Sequence, residues 1–449
     1  MSELVARLGD FVMTGRSRPL DATVLAAARS AVTDTVGCAV AGSATPVARS
    51  VRRTALECAP IGPADVIGTD ASSTAAFAAL ANATAAHALE MDDTDSEGFV
   101  HIGAVVVPVA LAVGQAEGSS GLEILESIAV GYEIAGRLAR WVNPAHRLRG
   151  HHTTATVTTF GAAAAAARLQ GLGKPQVQAA LGIAASFAGG TFSFLADGSN
   201  VKRLHAGKAA MGGVLAAQFA KNGLDGPREA IDGDVGFFKT QVGDVGDFPD
   251  LSDLDTYVIT EVGTKQYPCC RFCHASIDAA IALHQRGVTM NNVASVRIAV
   301  SELCSAQTGE RRPTNELQRQ FSTPYGVALG LIHGTARLEH YRNSPDSDAL
   351  VLASQMDLVV DTALDIGDRM STVTATLTDG RVVTERVPYP SGEPQNPIRT
   401  DARRRKFEDL ASSVLSEAAA ASLYESLQRL DELESLGPLL AACRGTFVA

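Results

Sequence analysis

The sequence is poor in positive charge: lysine and arginine total 38 against 49 acids, a formal net charge of −11. Nucleic acids and anionic membrane surfaces require clustered positive charge, so neither is expected as a partner. A small anionic ligand stays compatible where basic groups converge locally. The opening residues, MSELVARLGDFVMTGRSRP, carry acids and lack a continuous apolar stretch, so no secretory signal is expected. No uninterrupted apolar run reaches the ~18 residues of a spanning helix, because Gly, Thr, Arg or His break the alanine-rich stretches. An even cysteine set is also missing. The seven thiols, Cys38, Cys58, Cys269, Cys270, Cys273, Cys304 and Cys443, are odd in number and unevenly spaced, as reduced cysteines of a cytoplasmic protein are. There is no G-x-S-x-G elbow, no dinucleotide fingerprint and no phosphate-binding loop; Gly207-Lys208 is followed by Ala209 and lacks the upstream glycine. No nucleotide cofactor is expected.

What is present is a globular composition, 46% hydrophobic and 19% charged over 449 residues, long enough for two domains. Up to about residue 265 the pattern is helical. Ala22 to Ala41 reads as a packed helix with one polar edge at Arg29 and Asp34. Ser120-Gly121-Leu122-Glu123 is a capping box that opens a helix to about Trp141, stopped by Pro144. Phe160 to Leu169 is nearly all alanine, and Pro175 begins a further helix; small residues let helices approach closely. After about residue 265 the texture changes. Val293 to Val300 and Ser371 to Leu377 alternate as strands do, and Thr378-Asp379-Gly380 marks a hairpin turn into Arg381-Val382-Val383. Helices are expected at Ile277 to Arg286 and Pro324 to His333, and again in the tail at Asp401 to Leu410 and Glu417 to Ala442. The expected fold is mainly α: an all-helical domain, 1–265 plus 400–449, with an inserted smaller α+β lid domain, 266–399.

Polar residues that a core would not want collect in five short segments: His87 to Thr94 with His101, Gly150 to Thr154, Lys202 to Gly207, Lys265 to His274, and Phe321 to Tyr325. Seven of the ten histidines fall in or near the first four. The acidic run Asp92 to Glu97 suits a solvated helix end better than a magnesium site, since no second acidic motif accompanies it. Cys270-Arg271-Phe272-Cys273-His274 spells the C-x-x-C-H haem-attachment pattern, but that chemistry needs export. The same run is too crowded to supply four tetrahedral zinc ligands. Cys270 and Cys273 lack the βαβ context of a redox pair. No metal and no cofactor is therefore expected. The set left over is His101, His152, Lys202, Lys265 and His274, with Asp93 and Tyr325. Histidine exchanges protons near neutral pH. Lysine binds carboxylates and stabilises the enolate-like charge formed when a carbon beside a carboxylate loses its proton.

The phrases HALEMDDT, HHTTATVTTFGAAAAAARLQGL, KRLHAGKAAMGGVLAA, KQYPCCRFCHASIDAA and FSTPYGVALG, in this order, resemble the successive motifs of the MmgE/PrpD family. The resemblance implies a large helical domain with an α+β lid, a homodimer, and a site between the domains. It also implies metal-independent rearrangement beside a carboxylate of a small di- or tricarboxylate. Catalytic roles fall by motif position on Asp93, His101, His152, Lys202, Lys265 and Tyr325. Thr94, Cys270, Arg271 and His274 fall beside the substrate. Lys202 and Lys265 would anchor carboxylates, His101 and His152 would be acid and base, Asp93 would orient an imidazole and Tyr325 would bond substrate. Two departures stand out: Glu90 occupies the place of an aspartate in decarboxylase-like members, and Cys270 that of a histidine. A dehydratase is the first expectation, with an epimerase or a decarboxylase as alternatives and a non-catalytic dicarboxylate-binding member as the rival from another class.

Overall fold

A computed structural model describes residues 3–14, 20–248, 257–342 and 344–445. Its first part is built on α1 (Ala22–Gly42), α2 (Ala75–Ala86), α3 (Gly103–Glu117), α4 (Gly121–Val142), α5 (Thr158–Leu169) and α6 (Val201–Lys221). The Ser120 hydroxyl accepts from the Glu123 amide while the Glu123 carboxylate accepts from the Ser120 amide, so the expected capping box opens α4. α2, α3 and α5 are buried along nearly their whole length and composed mostly of Ala, Val and Gly. Small side chains bring the axes close: a Cβ on Gly207 of α6 would sit 2.4 Å from the Leu80 carbonyl oxygen of α2. That approach presses the helix carrying Lys202 onto the helix that ends at His87.

α1 is long and apolar enough to cross a membrane by length and composition. It is a core helix here: its polar edge is taken up by Arg29 on Asp431 at 2.8 Å and Asp34 on Lys406 at 2.6 Å. The first apolar core unites residues between Leu4 and Ile259 with the tail residues Phe407 to Cys443. A second core gathers Phe194 with residues from Cys269 to Leu377. There, α7 (His274–Gln285) and α8 (Thr323–His333) pack beside a four-stranded sheet of β1 (Val293–Val300), β2 (Asp357–Val360), β3 (Ser371–Leu377) and β4 (Val382–Val387), in the order β2-β1-β3-β4. β3 alternates buried and half-buried along its length, as the sequence pattern requires of a strand with one face inward. Gly380 takes φ 87° in the β3–β4 turn.

Mainly α is thus the architecture. Two local expectations change. β2 pairs parallel to β1, a strand that Asp357-Leu358-Val359-Val360 is too short to announce. The tail expected as one helix to Ala442 is divided into Glu417–Gln428, a turn at Leu430–Glu432, and Gly437–Ala442. Gly437-Pro438 begins the last piece with a proline in its first turn, where the missing amide costs nothing.

Candidate active site

The chain leaving α2 forms a loop from His87 to Ile102 that is polar yet buried: His87, Glu90, Asp92, Asp93, Thr94 and Asp95 are all inaccessible. Two of its residues hold left-handed backbone, Glu90 at φ 58° and Phe99 at φ 52°. Such geometry disfavours a side-chain-bearing residue by roughly 1–3 kcal/mol and persists where packing over-determines it. Glu90 is over-determined by charge. Its carboxylate pairs with the Lys202 ammonium from α6, and its other oxygen lies 3.4 Å from Lys265 Nζ. Lys265 Nζ also donates to the Glu90 carbonyl at 3.1 Å.

The histidines stand on this ionic base. His87 Nδ1 lies 2.7 Å from Asp92 Oδ2, so it carries the hydrogen, and Nε2 accepts from Lys202 Nζ at 3.1 Å. His101 Nδ1 lies 2.7 Å from the Asp93 carbonyl oxygen, which can only accept. The hydrogen is therefore on Nδ1, leaving Nε2 for a ligand. His152 meets His205 Nδ1 to Nδ1 at 2.9 Å and packs edge-on against Phe192 and Phe194. The His87 ring centroid is 5.0 Å from that of His101 and 6.1 Å from that of His152, and with Lys202 on His87 three of the five sequence segments meet here.

Above them opens a cleft of about 460 Å³, its mouth included, between the two apolar cores. His101, His152, Lys202, Thr94, Cys270 and Arg271 line it, as does Glu90. Four cations, Lys202, Arg147, Arg271 and Arg369, face this one carboxylate. A chain of net charge −11 has gathered its local positive excess here.

The other sequence candidates lie elsewhere. Lys265 is fully buried beneath Glu90 and acts on the cleft through it. Asp93 turns its carboxylate away, to the Tyr132 hydroxyl at 2.5 Å and the Gly103 amide at 3.0 Å. Its backbone, not its carboxylate, holds His101; the carboxylate near the imidazoles belongs to Asp92. His274 is buried with Nδ1 on Arg271, outside the lining. Tyr325 is a packing residue of the second core, its hydroxyl donating to the His340 carbonyl at 3.0 Å and accepting from the Asp346 amide. It does not reach the cleft. Sequence reading missed His87, Asp92, Arg147, Arg369 and Gln307 as site residues. Only the first two carried a signal, in their shared segment with Thr94.

Electrostatics follow from burial. The imidazoles of His101 and His152 are held well below the ordinary histidine value, first by burial and then by Lys265 and Lys202 respectively. Glu90 stays ionised: burial opposes this, but the two lysines overcome it and hold its carboxyl well below its usual range. Burial lowers the Lys202 ammonium, with Glu90 acting against it. Asp93, inaccessible and near Asp92, is pushed up to about 7. Between the ordinary carboxyl value and about 7 the folded protein holds a proton that the unfolded chain has lost. Asp93 therefore lowers stability as pH rises from 4 to 7. Asp93→Asn should abolish this component, removing up to about 4 kcal/mol of pH dependence. Urea unfolding of both proteins at pH 5 and pH 8 checks it, and parallel curves would contradict it.

His87, Asp92 and His101 bring one ligand atom each within 4.8 Å of one another, a spacing a metal ion could use. Their chemistry opposes it: His87 spends Nδ1 on Asp92 and Nε2 on an ammonium, and burial, then the charge of Lys265, disfavours a cation at His101. Activity is expected to survive dialysis against a strong chelator; loss restored by a metal would show the triad to be a cation site.

The cleft thus sets an excess of cations over buried histidines, between a helical core and an α+β core. The profile of the MmgE/PrpD N-terminal domain matches residues 6–246 and that of the MmgE/PrpD C-terminal domain residues 267–432, and the chain belongs to this family. Among similar proteins, a cis-aconitate decarboxylase-like protein of Aspergillus oryzae is 26% identical over 472 residues, covering 98% of this chain and 97% of that protein. Mouse cis-aconitate decarboxylase is 28% identical over 390 residues, 83% of this chain and 79% of its own. That of Aspergillus terreus is 26% identical over 449 residues, covering 93% and 91%.

Proposed function

We propose that the protein is a metal-independent lyase that breaks a bond beside a carboxylate of a small polycarboxylate, with decarboxylation as the reaction. The observation that carries the reading is the Lys202–Glu90–Lys265 cluster beneath His101 and His152 in a cleft of net positive charge. Decarboxylation rather than the dehydration expected from sequence is supported by the cis-aconitate decarboxylases among the relatives. Lys202 anchors a carboxylate, and its charge stabilises the electron pair left on carbon when the C–CO₂ bond breaks. His101 Nε2, which carries no hydrogen in the free protein, takes up one solvent proton as the anionic substrate binds and gives it to that carbon, and His152 stands beside it as the second base of the cleft. Glu90, which the sequence reading left without a role, holds the ammonium in place.

The helical body 1–265 plus 400–449 and the lid 266–399 are part of this proposal, supported by the two apolar cores that meet at the cleft. A homodimer and a cytoplasmic setting belong to it as well; all seven cysteines are free, as a reducing compartment would keep them. The reading is tested by incubating the protein with unsaturated and hydroxylated di- and tricarboxylates and identifying products by NMR. Carbon dioxide with a shortened acid supports it. Loss of water without carbon dioxide returns the reaction to a dehydratase, inversion of a stereocentre alone to an epimerase, and unaltered acids throughout to a binding protein.

A further inference from the structure

Two cations of the cleft form no ion pair among the described residues. Arg147, on the short helix Ala145–Leu148, donates from Nη2 to Gln307 Oε1 at 2.9 Å and lies 3.4 Å over the Phe192 ring. Arg369, on the approach to β3, donates to the Gly367 carbonyl at 2.5 Å and the Ser96 carbonyl at 3.1 Å. It stacks 3.7 Å over Phe272 and 4.7 Å from Phe99. Elsewhere the arginines near the site meet acids: Arg271 pairs with Glu393 at 2.8 Å and Arg140 with Asp95 at 3.0 Å. Arg147 and Arg369 form no such pair among the described residues, and each keeps a buried Nε–H with no protein acceptor. Burial lowers both guanidinium groups to about 10. Neutral carbonyls, an amide and aromatic faces thus fix two guanidinium planes rigidly and leave their charge unspent. A guanidinium so placed suits a carboxylate, whose oxygens match the fork and whose charge replaces the lost hydration.

Position adds to chemistry. Arg147 and its Phe192 wall stand next to His152, since Phe192 packs on that imidazole with centroids 5.4 Å apart. Arg369 comes from the other side, against the strained Phe99. Gln307 joins the two sides, accepting from Arg147 and donating to Cys270 Sγ at 3.2 Å.

We propose that Arg147 and Arg369, with Gln307 bracing Arg147, form a second carboxylate subsite apart from Lys202, which selects acids bearing a further carboxylate away from the reacting centre. This rests on the reading of the cleft as a polycarboxylate site and names its specificity element. Two saturated, unreactive probes test it without turnover: propane-1,2,3-tricarboxylate, and pentanoate, which has the same five-carbon chain with a single carboxylate. Titration calorimetry of the wild-type protein should show tighter binding of the tricarboxylate. Arg147→Met and Arg369→Met should each weaken the tricarboxylate by about tenfold or more while changing pentanoate by less than about threefold. Arg147→Lys, which keeps the charge and loses the fork, should fall between, and is the variant to read should the methionine forms melt early. Equal losses on both acids, or no loss on either, overturn the subsite. Lys202→Met is the control for the underlying reading: it should weaken both acids, and full binding of both by that variant would refute the lysine site while leaving the arginine result to stand alone.

Discussion

Lys202→Ala is expected to lower turnover by at least about a hundredfold, the effect of removing a charge aimed at developing negative charge in a dry site. It is also expected to destabilise the protein. The side chain is buried, and truncation strips Glu90 of one of its two cations and His87 of its donor. A fully broken buried pair typically costs about 3–5 kcal/mol. The loss should fall below that, because Lys265 remains 3.4 Å from Glu90. Two roles are thereby entangled in one residue, and a second variant separates them. Lys202→Arg keeps a cation on Glu90 while moving it from the place of the ammonium, so most of the stability should be kept while turnover stays lost. Kinetics and urea unfolding of the two variants decide it. Full activity in either would remove Lys202 from the chemistry.

The second large effect belongs to the histidines. Because His101 and His152 are both depressed, each is neutral in the free protein at neutral pH. kcat/KM should therefore fall on the acid side only below the ordinary histidine value of about 6.5, where an imidazole finally takes a proton. On the alkaline side it should fall below the ordinary lysine value, as Lys202 loses its lowered proton. The limbs are properties of the coupled cluster rather than of single residues. His101→Gln and His152→Gln should collapse the rate with a melting temperature close to the parent's. They should also flatten the acid loss of stability. Below the unfolded value the unfolded chain binds protons that the folded histidines refuse, so the parent loses stability as pH falls. Unchanged profiles with lowered melting temperatures would make both histidines packing residues.

The helices were legible because apolar period, capping box and proline positions act locally; Ser120 to Val142 appears within a residue of its expected span. The short parallel strand Asp357–Val360 was not, since its pairing with Val293–Val300 is decided by tertiary contact. For the cleft, residue type pointed to His101, His152 and Lys202, whose chemistry is unusual in a core. It could not tell Asp92 from Asp93: adjacent residues in a loop face opposite ways, and only the fold shows that Tyr132 takes one and His87 the other. Tyr325 carried the chemistry of a ligand contact but was claimed by the His340 carbonyl across its own core. Arg147 and Arg369 come from segments with no pattern, more than two hundred residues apart, and meet at the cleft only when the two cores close.

The most direct measurement is turnover of an unsaturated tricarboxylate in deuterium oxide, followed by NMR for the wild-type protein and for His101→Gln. Carbon dioxide should be released with one solvent deuteron placed on the carbon that takes up the electron pair, and His101→Gln should suppress both signals together. Product free of solvent deuterium, or an undiminished rate in His101→Gln, would contradict proton transfer by this cleft.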